Sequence, residues 1–145
     1  QSAMVKLKTH GLDAIIPQLK QPVLGICLGM QLLCDYTEEG GVNGLGIIQG
    51  KVRRFSDQVK VPQMGWNTIS ETQTTLFQGI KDHEFMYLVH SYFVPLLPET
   101  IAVSTYNQAY SVALQKDNFY GVQFHPEKSS KAGQQLLKNF LNLTI

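Results

Sequence analysis

The sequence predicts an α/β fold in which an open, mostly parallel sheet is flanked by helices and carries antiparallel additions, with residues 1–145 as one domain. Three observations carry this reading. A short apolar run, Val23–Ile26, fits a fully buried parallel strand. Later strand-like runs are joined by connections short enough for antiparallel hairpins. The chain closes on a helical apolar stripe. With 145 residues, 43% of them hydrophobic, it can bury one sizeable core and no second domain is expected.

Residues 2–20 read as one or two helices, with Gly11 as a break and Asp13 as the cap of the second. Pro22 introduces the apolar run, which is too short for a helix and ends at Cys27. Good helix formers follow from Leu28 to about Tyr36, and then Gly40, Gly41, Gly44 and Gly46 mark an irregular loop. Strands are expected at 45–55 in two pieces, 67–70, 84–94, 101–106, 111–115 and 119–124. The last helix takes Ser129 or Ser130 as cap and lines up Ala132, Leu136, Leu137, Phe140 and Leu141. The chain opens on Gln1 inside a helical pattern that includes Ala3, Met4 and Leu7, which reads as an N-terminal truncation. An open sheet of this class has βαβ units ahead of a strand such as 23–26, and the missing start would have held them.

Twelve Lys and Arg residues nearly cancel eleven Asp and Glu, leaving a formal charge of +1 without a basic stripe. Nucleic acid is therefore not an expected partner. The most apolar stretch, 85–97, is broken by His90 and closed by prolines, so no membrane association is expected and a cytoplasmic location fits. If Cys27 and Cys34 share a helix, a rise of about 1.5 Å per residue sets them roughly 10 Å apart. That is too far for a disulfide, and reduced thiols are expected. No metal or cofactor is expected.

Gly25-Ile26-Cys27-Leu28-Gly29 is a strand running into G-x-C-x-G and then a helix, the layout of a nucleophile elbow with cysteine in the serine position. The turn holds the nucleophile in a strained conformation, and side chains two residues either side of it would crowd the same space. The sulfur would then sit beyond the strand's carboxyl end, beside the amino terminus of the helix, where free N–H groups favour a thiolate. Cys34 has no such context and is assigned to the core.

A cysteine with an ordinary pKa near 8.5 is only a small fraction thiolate at neutral pH, so a histidine activator is expected. His10 and His83 lie in polar stretches and His90 lies among apolar strand residues. His125 instead ends the strand Tyr120-Gly121-Val122-Gln123-Phe124, and Pro126 stops that strand, which presents the imidazole at a sheet edge. In extended backbone residues i and i+2 share a side, so Glu127 can hold one ring nitrogen and leave the other for sulfur.

Taken together, Gly25-Ile26-Cys27-Leu28-Gly29-Met30-Gln31-Leu32-Leu33 and Gly121-Val122-Gln123-Phe124-His125-Pro126-Glu127 resemble the class I, or triad, glutamine amidotransferases, a flavodoxin-like α/β family. Met30, the Met64-Gly65-Trp66-Asn67 segment and Lys128-Ser129-Ser130 resemble one branch, the glutaminase subunits of imidazole glycerol phosphate synthases in histidine biosynthesis. The resemblance implies that Cys27 attacks the side-chain amide of L-glutamine, His125 shuttles the proton and Glu127 holds the imidazole. It places Gly29 and Gln31 against the substrate, Glu39 on its α-ammonium, and Ser91 and Tyr92 on its α-carboxylate. It also turns Met64, Gly65, Trp66, Asn67 and Lys128 toward a synthase (cyclase) subunit in a heterodimer, the first four as an exposed turn. Gln63 stands where that family commonly has histidine, and its glycine-rich oxyanion loop has no counterpart in this sequence. Loss of one oxyanion donor costs about 100- to 1,000-fold, so the chain as given is expected to be poorly active. Three alternatives stay open: a glutaminase of anthranilate, GMP or carbamoyl phosphate synthesis, a cysteine hydrolase of similar fold, and a binding scaffold without activity.

Overall fold

The computed structural model describes residues 2–143; Gln1, where the truncation was read, lies outside them. The chain opens with α1 (Ser2–Thr9), α2 (Leu12–Ile15) and a 3-10 turn over Ile16–Gln18. Gly11 divides the helices at φ 70 and ψ 12, a left-handed conformation that suits glycine. Asp13 is not the cap of α2, because the cap position immediately before Leu12 is taken by Gly11, and Asp13 lies in the first turn.

β1 (Val23–Ile26) runs parallel to β10 (Phe119–Val122), with Ile26 opposite Val122. Beyond β10 come β9 (Gln108–Lys116) and β8 (Thr100–Tyr106), each antiparallel to its neighbour. A second sheet orders β3 (Val42–Asn43), β2 (Cys34–Thr37), β4 (Ile48–Arg54) and β7 (Tyr92–Phe93), with β2 parallel to β4. β5 (Gln63–Ile69) and β6 (Glu84–His90) form a separate antiparallel ribbon. The α/β class and its antiparallel additions are both present, and among the described residues the parallel pairings are β1–β10 and β2–β4.

The helix after Cys27 is shorter than its residues suggest. α3 covers only Leu28–Leu32, and from Cys34 the chain becomes β2. Tyr36 and Thr37 favour strand, and pairing beside β4 outweighs the helix propensity of the preceding residues. The cysteines therefore do not share a helix, although both are free. Cys34 is fully buried, and its thiol is pushed up to about 12 by loss of solvent, then by Asp35 and Glu99, which fits a core residue rather than a nucleophile. Residues 45–55 yield one strand, β4, instead of two, and the strand expected at 67–70 starts at Gln63.

Side chains of β10 alternate between two apolar clusters. Tyr120 and Val122 join Phe55, Met86, Leu88 and Leu136 on one face, whereas Phe119 joins Met30, Ile48 and Leu114 on the other. Gly121 faces α3: a Cβ there would lie 2.8 Å from Met30 Cγ, so its missing side chain is the seat of Met30. On the first face packs α4 (Ser130–Leu141), where Leu136 is buried and Ala132 and Phe140 pack at the margin. Leu141 is 79% exposed, because the last helical turn runs past the edge of the core.

Candidate active site

Cys27 links β1 to α3 at φ 54 and ψ −106, the strained turn expected of an elbow. Its amide donates to Val122 O at 2.7 Å, which ties it to the carboxyl end of β10. The two flanking glycines are not equivalent. A Cβ on Gly25 would meet the Gly29 carbonyl at 2.6 Å and Met30 N at 2.9 Å, whereas a Cβ on Gly29 would meet nothing within 4 Å. Only Gly25 answers the crowding argument, because the chain folds back over β1 and away from the outer side of α3.

His125 follows β10 on the same sheet edge. Its Nδ1 lies 2.8 Å from Glu127 Oε2, and its side chain is 19% exposed against 47% for Glu127. The backbone that makes this pair is not extended, since Pro126–Lys128 form a 3-10 turn. Curling after the proline, with Lys128 N on His125 O at 3.0 Å, brings the carboxylate back to the ring. Glu127 suffers some desolvation, but the His125 hydrogen bond, its own amide and the charges of His125 and Lys128 hold its carboxyl below the ordinary range.

The sulfur is less prepared than the elbow pattern suggests. Desolvation raises its pKa, the Leu28 N–H and the Gln123 amide partly offset this, and the Glu127 and Glu39 charges add to the rise. The thiol points to Val89 O at 3.8 Å and receives Gln123 Nε2 at 3.6 Å. Among the described residues the imidazole is not one of its hydrogen-bond partners, so the second ring nitrogen is left without the sulfur contact expected for it. Such contacts commonly tighten only when substrate is bound.

Beside the sulfur opens a cleft of about 250 Å³ lined by Cys27, Leu28, Gln31, Glu39, Val89, His90, Ser91 and Tyr92. It gathers four of the five expected substrate contacts, and Gly29 is outside it. Gln31 is buried, and its NH₂ is already committed to Tyr92 O and Gln123 Oε1, both at 3.0 Å, so only its oxygen is free toward a ligand.

Residues 6–143 match the family described as glutamine amidotransferase class-I. The chain belongs to this family. Similarity to individual members of the glutamine amidotransferases is high. Imidazole glycerol phosphate synthase subunit HisH of Bacteroides fragilis strain YCH46 is 53% identical over 99% of this chain and 74% of its own length. The proteins of the same name from Yersinia pseudotuberculosis and Escherichia coli O157:H7 are 48% and 50% identical over 98% and 99% of this chain, and over 74% of their own lengths. The fold resembles the crystal structure of a glutamine amidotransferase from Thermotoga maritima, with TM-score 0.61 and 20% identity over 94% of this chain and 54% of that one. It also resembles the Trypanosoma brucei CTPS glutaminase domain, with TM-score 0.59 and 14% identity over 92% of this chain and 65% of that one.

In this glutamine amidotransferase the Met64-Gly65-Trp66-Asn67 segment is not a turn. It lies within β5 because residues on alternate sides of the ribbon have opposite tasks. Gln63 and Ile69 face inward with Met86, Leu88 and His90, while Met64, Trp66 and Phe85 are 66%, 53% and 54% exposed on the other face. Trp66 stands opposite Tyr87 in the register, and the two rings meet edge to face at 5.9 Å. Gly65 has φ 127, which glycine tolerates, and Asn67 donates to Thr105 O at 2.9 Å. Tyr87 ties this ribbon to the sheet edge that carries His125, for its carbonyl accepts His125 N at 2.9 Å and its amide donates to Ser129 Oγ at 2.9 Å. Ser129 Oγ in turn donates to His125 O at 2.6 Å, so it braces the site instead of capping α4. Lys128 is exposed beside Glu127.

Sequence reasoning passed over Gln123, His90, Tyr87 and Leu28. The signal for Gln123 was a carboxamide between Val122 and Phe124, and for His90 an imidazole closing an apolar strand, since a polar group so placed requires a buried partner. His90 Nδ1 donates to Tyr92 O at 2.7 Å, and its Nε2 faces the Gln63 carboxamide at 2.8 Å and the Tyr110 hydroxyl at 3.3 Å. Gln63 is thus an inward-facing partner of this cluster and takes no part in the exposed face.

Burial lowers the His90 pKa from 6.5 to about 4, with the Tyr92 carbonyl working against the fall and the His125 charge adding to it. The unfolded chain therefore takes up a proton that the folded one refuses. Stability is full above pH 6.5 and is lost progressively as pH falls toward 4, by about 3 kcal/mol for this group. Thermal melting followed against pH should show that decline, and His90→Gln should flatten it while leaving the contribution of Glu127, which acts at still lower pH.

Proposed function

We propose that this amidotransferase is the glutaminase subunit of an imidazole glycerol phosphate synthase, hydrolysing L-glutamine to glutamate and passing the ammonia to a cyclase partner in histidine biosynthesis. The observation that carries the reading is the cleft that joins Cys27 to Gln31, Glu39, Ser91 and Tyr92 on the sheet edge that also holds the His125–Glu127 pair. Glu39 is the one carboxylate among the lining residues and suits the substrate's ammonium. The relatives at about half identity carry the pathway assignment.

His125 takes the Cys27 proton, the thiolate attacks the side-chain carbonyl carbon, a C–S bond forms and the π electrons move onto oxygen. The Leu28 N–H, the amide following the nucleophile, is a donor for that oxyanion. As the oxyanion collapses the C–N bond breaks and His125 gives its proton to the departing nitrogen, releasing ammonia and leaving a γ-glutamyl thioester. His125 then takes a proton from water, the hydroxide adds to the thioester, and cleavage of the C–S bond releases glutamate and restores the thiolate. Glu127 keeps the proton-bearing ring nitrogen fixed throughout.

The exposed face of the ribbon, with Met64 and Trp66 at its centre, and Lys128 at its rim form the surface for the synthase subunit. Tyr87 gives that surface a short backbone path to His125. Among the described residues no helix is long and apolar enough to cross a membrane; a cytoplasmic location goes with the pathway.

The test is mass spectrometry of the chain after exposure to an electrophilic glutamine analogue, with and without a cyclase subunit. Labelling of Cys27 that rises with the partner is expected, and labelling elsewhere or none would overturn the glutaminase reading. Trp66→Ala should weaken partner binding by about 2 kcal/mol, roughly 30-fold in Kd, without changing labelling in the isolated chain. Unchanged affinity would remove the ribbon from the interface.

A further inference from the structure

Gln123 is fully buried in an otherwise apolar stretch, its backbone amide bonded to Val112 O at 2.9 Å. A buried carboxamide is costly unless both its ends are used. Here both are, and they join two residues of the site: Oε1 accepts from Gln31 Nε2 at 3.0 Å, and Nε2 donates to Cys27 Sγ at 3.6 Å.

The direction of this relay is fixed by a group that cannot reverse. Tyr92 O can only accept, so the end of Gln31 facing it at 3.0 Å must be the NH₂. That same NH₂ is the donor to Gln123, which obliges Gln123 to offer its oxygen to Gln31 and its NH₂ to the sulfur. Turning Gln123 over would set NH₂ against NH₂ at one end and oxygen against sulfur at the other.

The sulfur needs this donor most once it has lost its proton. As a thiol it can give its hydrogen to Val89 O at 3.8 Å, but as a thiolate it faces that carbonyl as two electron-rich atoms. The carboxylates of Glu39 and Glu127 also oppose the anion. Among the described residues, Leu28 N–H and Gln123 Nε2 are the donors in contact with the sulfur in this structure. Leu28 is also the amide available to the substrate's oxyanion, so during attack Gln123 is the donor the sulfur does not share.

We propose that Gln123 is a catalytic residue that holds the Cys27 sulfur and stabilises its thiolate, and that Gln31 is a positioning residue that acts on the sulfur through Gln123. The proposal rests on the reading of Cys27 as nucleophile. Because a carboxamide does not titrate, this support is constant with pH, unlike support from an imidazole.

The test is the pH dependence of Cys27 alkylation by iodoacetamide in the full chain, followed by peptide mass spectrometry so that Cys34 is counted apart. The midpoint of the profile is the readout, since a thiolate of higher pKa is also intrinsically more nucleophilic and rates alone would understate the change. Gln123→Met, which keeps the volume and removes the donor, should move the midpoint up by about one pH unit. Gln123→Glu should move it further. Gln31→Met, which frees Gln123 to turn, should move it in the same direction by less. An unmoved midpoint in Gln123→Met with an unchanged circular dichroism spectrum overturns the proposal. If that variant does not fold, an unmoved midpoint in Gln31→Met does so. Labelling of wild-type Cys27 by the glutamine analogue separates the two readings: its absence sinks the nucleophile itself, whereas its presence with unmoved midpoints removes only Gln123.

Discussion

Cys27→Ala should lower ammonia release from glutamine by about 10⁴- to 10⁶-fold, with the melting temperature close to that of the parent. The size follows from the chemistry, because without the sulfur no thioester forms and the reaction falls back on direct attack by water. The fold should tolerate the change, since Cys27 is only partly buried and its polar contacts are long, 3.6 Å to Gln123 and 3.8 Å to Val89. Alanine keeps the Cβ and with it the strained turn at φ 54. His125→Ala should cost nearly as much, and the double variant little more than either, because residues that act as one unit do not add. A Cys27→Ala protein that still releases ammonia at more than about one-hundredth of the parent rate would contradict the thioester route.

The second large effect is structural. Gly133→Ala should destabilise the protein by about 3 kcal/mol and lower its melting temperature by roughly 6–12 °C. In an open helix the same change would gain up to about 1 kcal/mol, so the sign itself is diagnostic. At Gly133 an added Cβ would lie 1.9 Å from Pro126 O, 2.8 Å from Pro126 C and 2.9 Å from Ser129 Cβ. The turn cannot withdraw freely, being held by Ser129 N on Pro126 O at 3.1 Å and by Lys128 N on His125 O at 3.0 Å. Either α4 moves out and uncovers Leu136, or the turn that carries Glu127 moves and the 2.8 Å contact with His125 opens. Glutamine hydrolysis should fall along with stability. Gly29→Ala is the control for stability, with nothing within 4 Å of the added carbon, and its melting temperature should stay near that of the parent.

These two glycines show where a sequence reading stops. Gly25 was legible because a strand, a cysteine and a second glycine together describe an elbow, but the pattern assigned the same role to Gly29. Only the path of α3 back over β1 separates them. Gly133 carried no signal at all, since its importance comes from a turn seven residues earlier that curls after Pro126. In the same way the His125–Glu127 pairing was legible from the i, i+2 spacing for a reason that does not hold, because the backbone there is a 3-10 turn.

The family was determined by the sequence alone, because an elbow and a strand-ending His-Pro-Glu are local patterns whose residue types answer directly to chemistry. So were β1 at both ends and the presence of the strands β8, β9 and β10, which follow apolar runs, although most strand ends moved when their partners were in place. What tertiary structure decided were the choices that neighbours make. Helix propensity after Leu32 yielded to pairing with β4, and the Met64–Asn67 segment became strand because its two faces meet a core and solvent. The direction of the Gln31–Gln123 relay is likewise set by the carbonyl of Tyr92, sixty-one residues from Gln31. A buried polar group takes its orientation from whatever lies opposite it, and nothing in its own segment records what that will be.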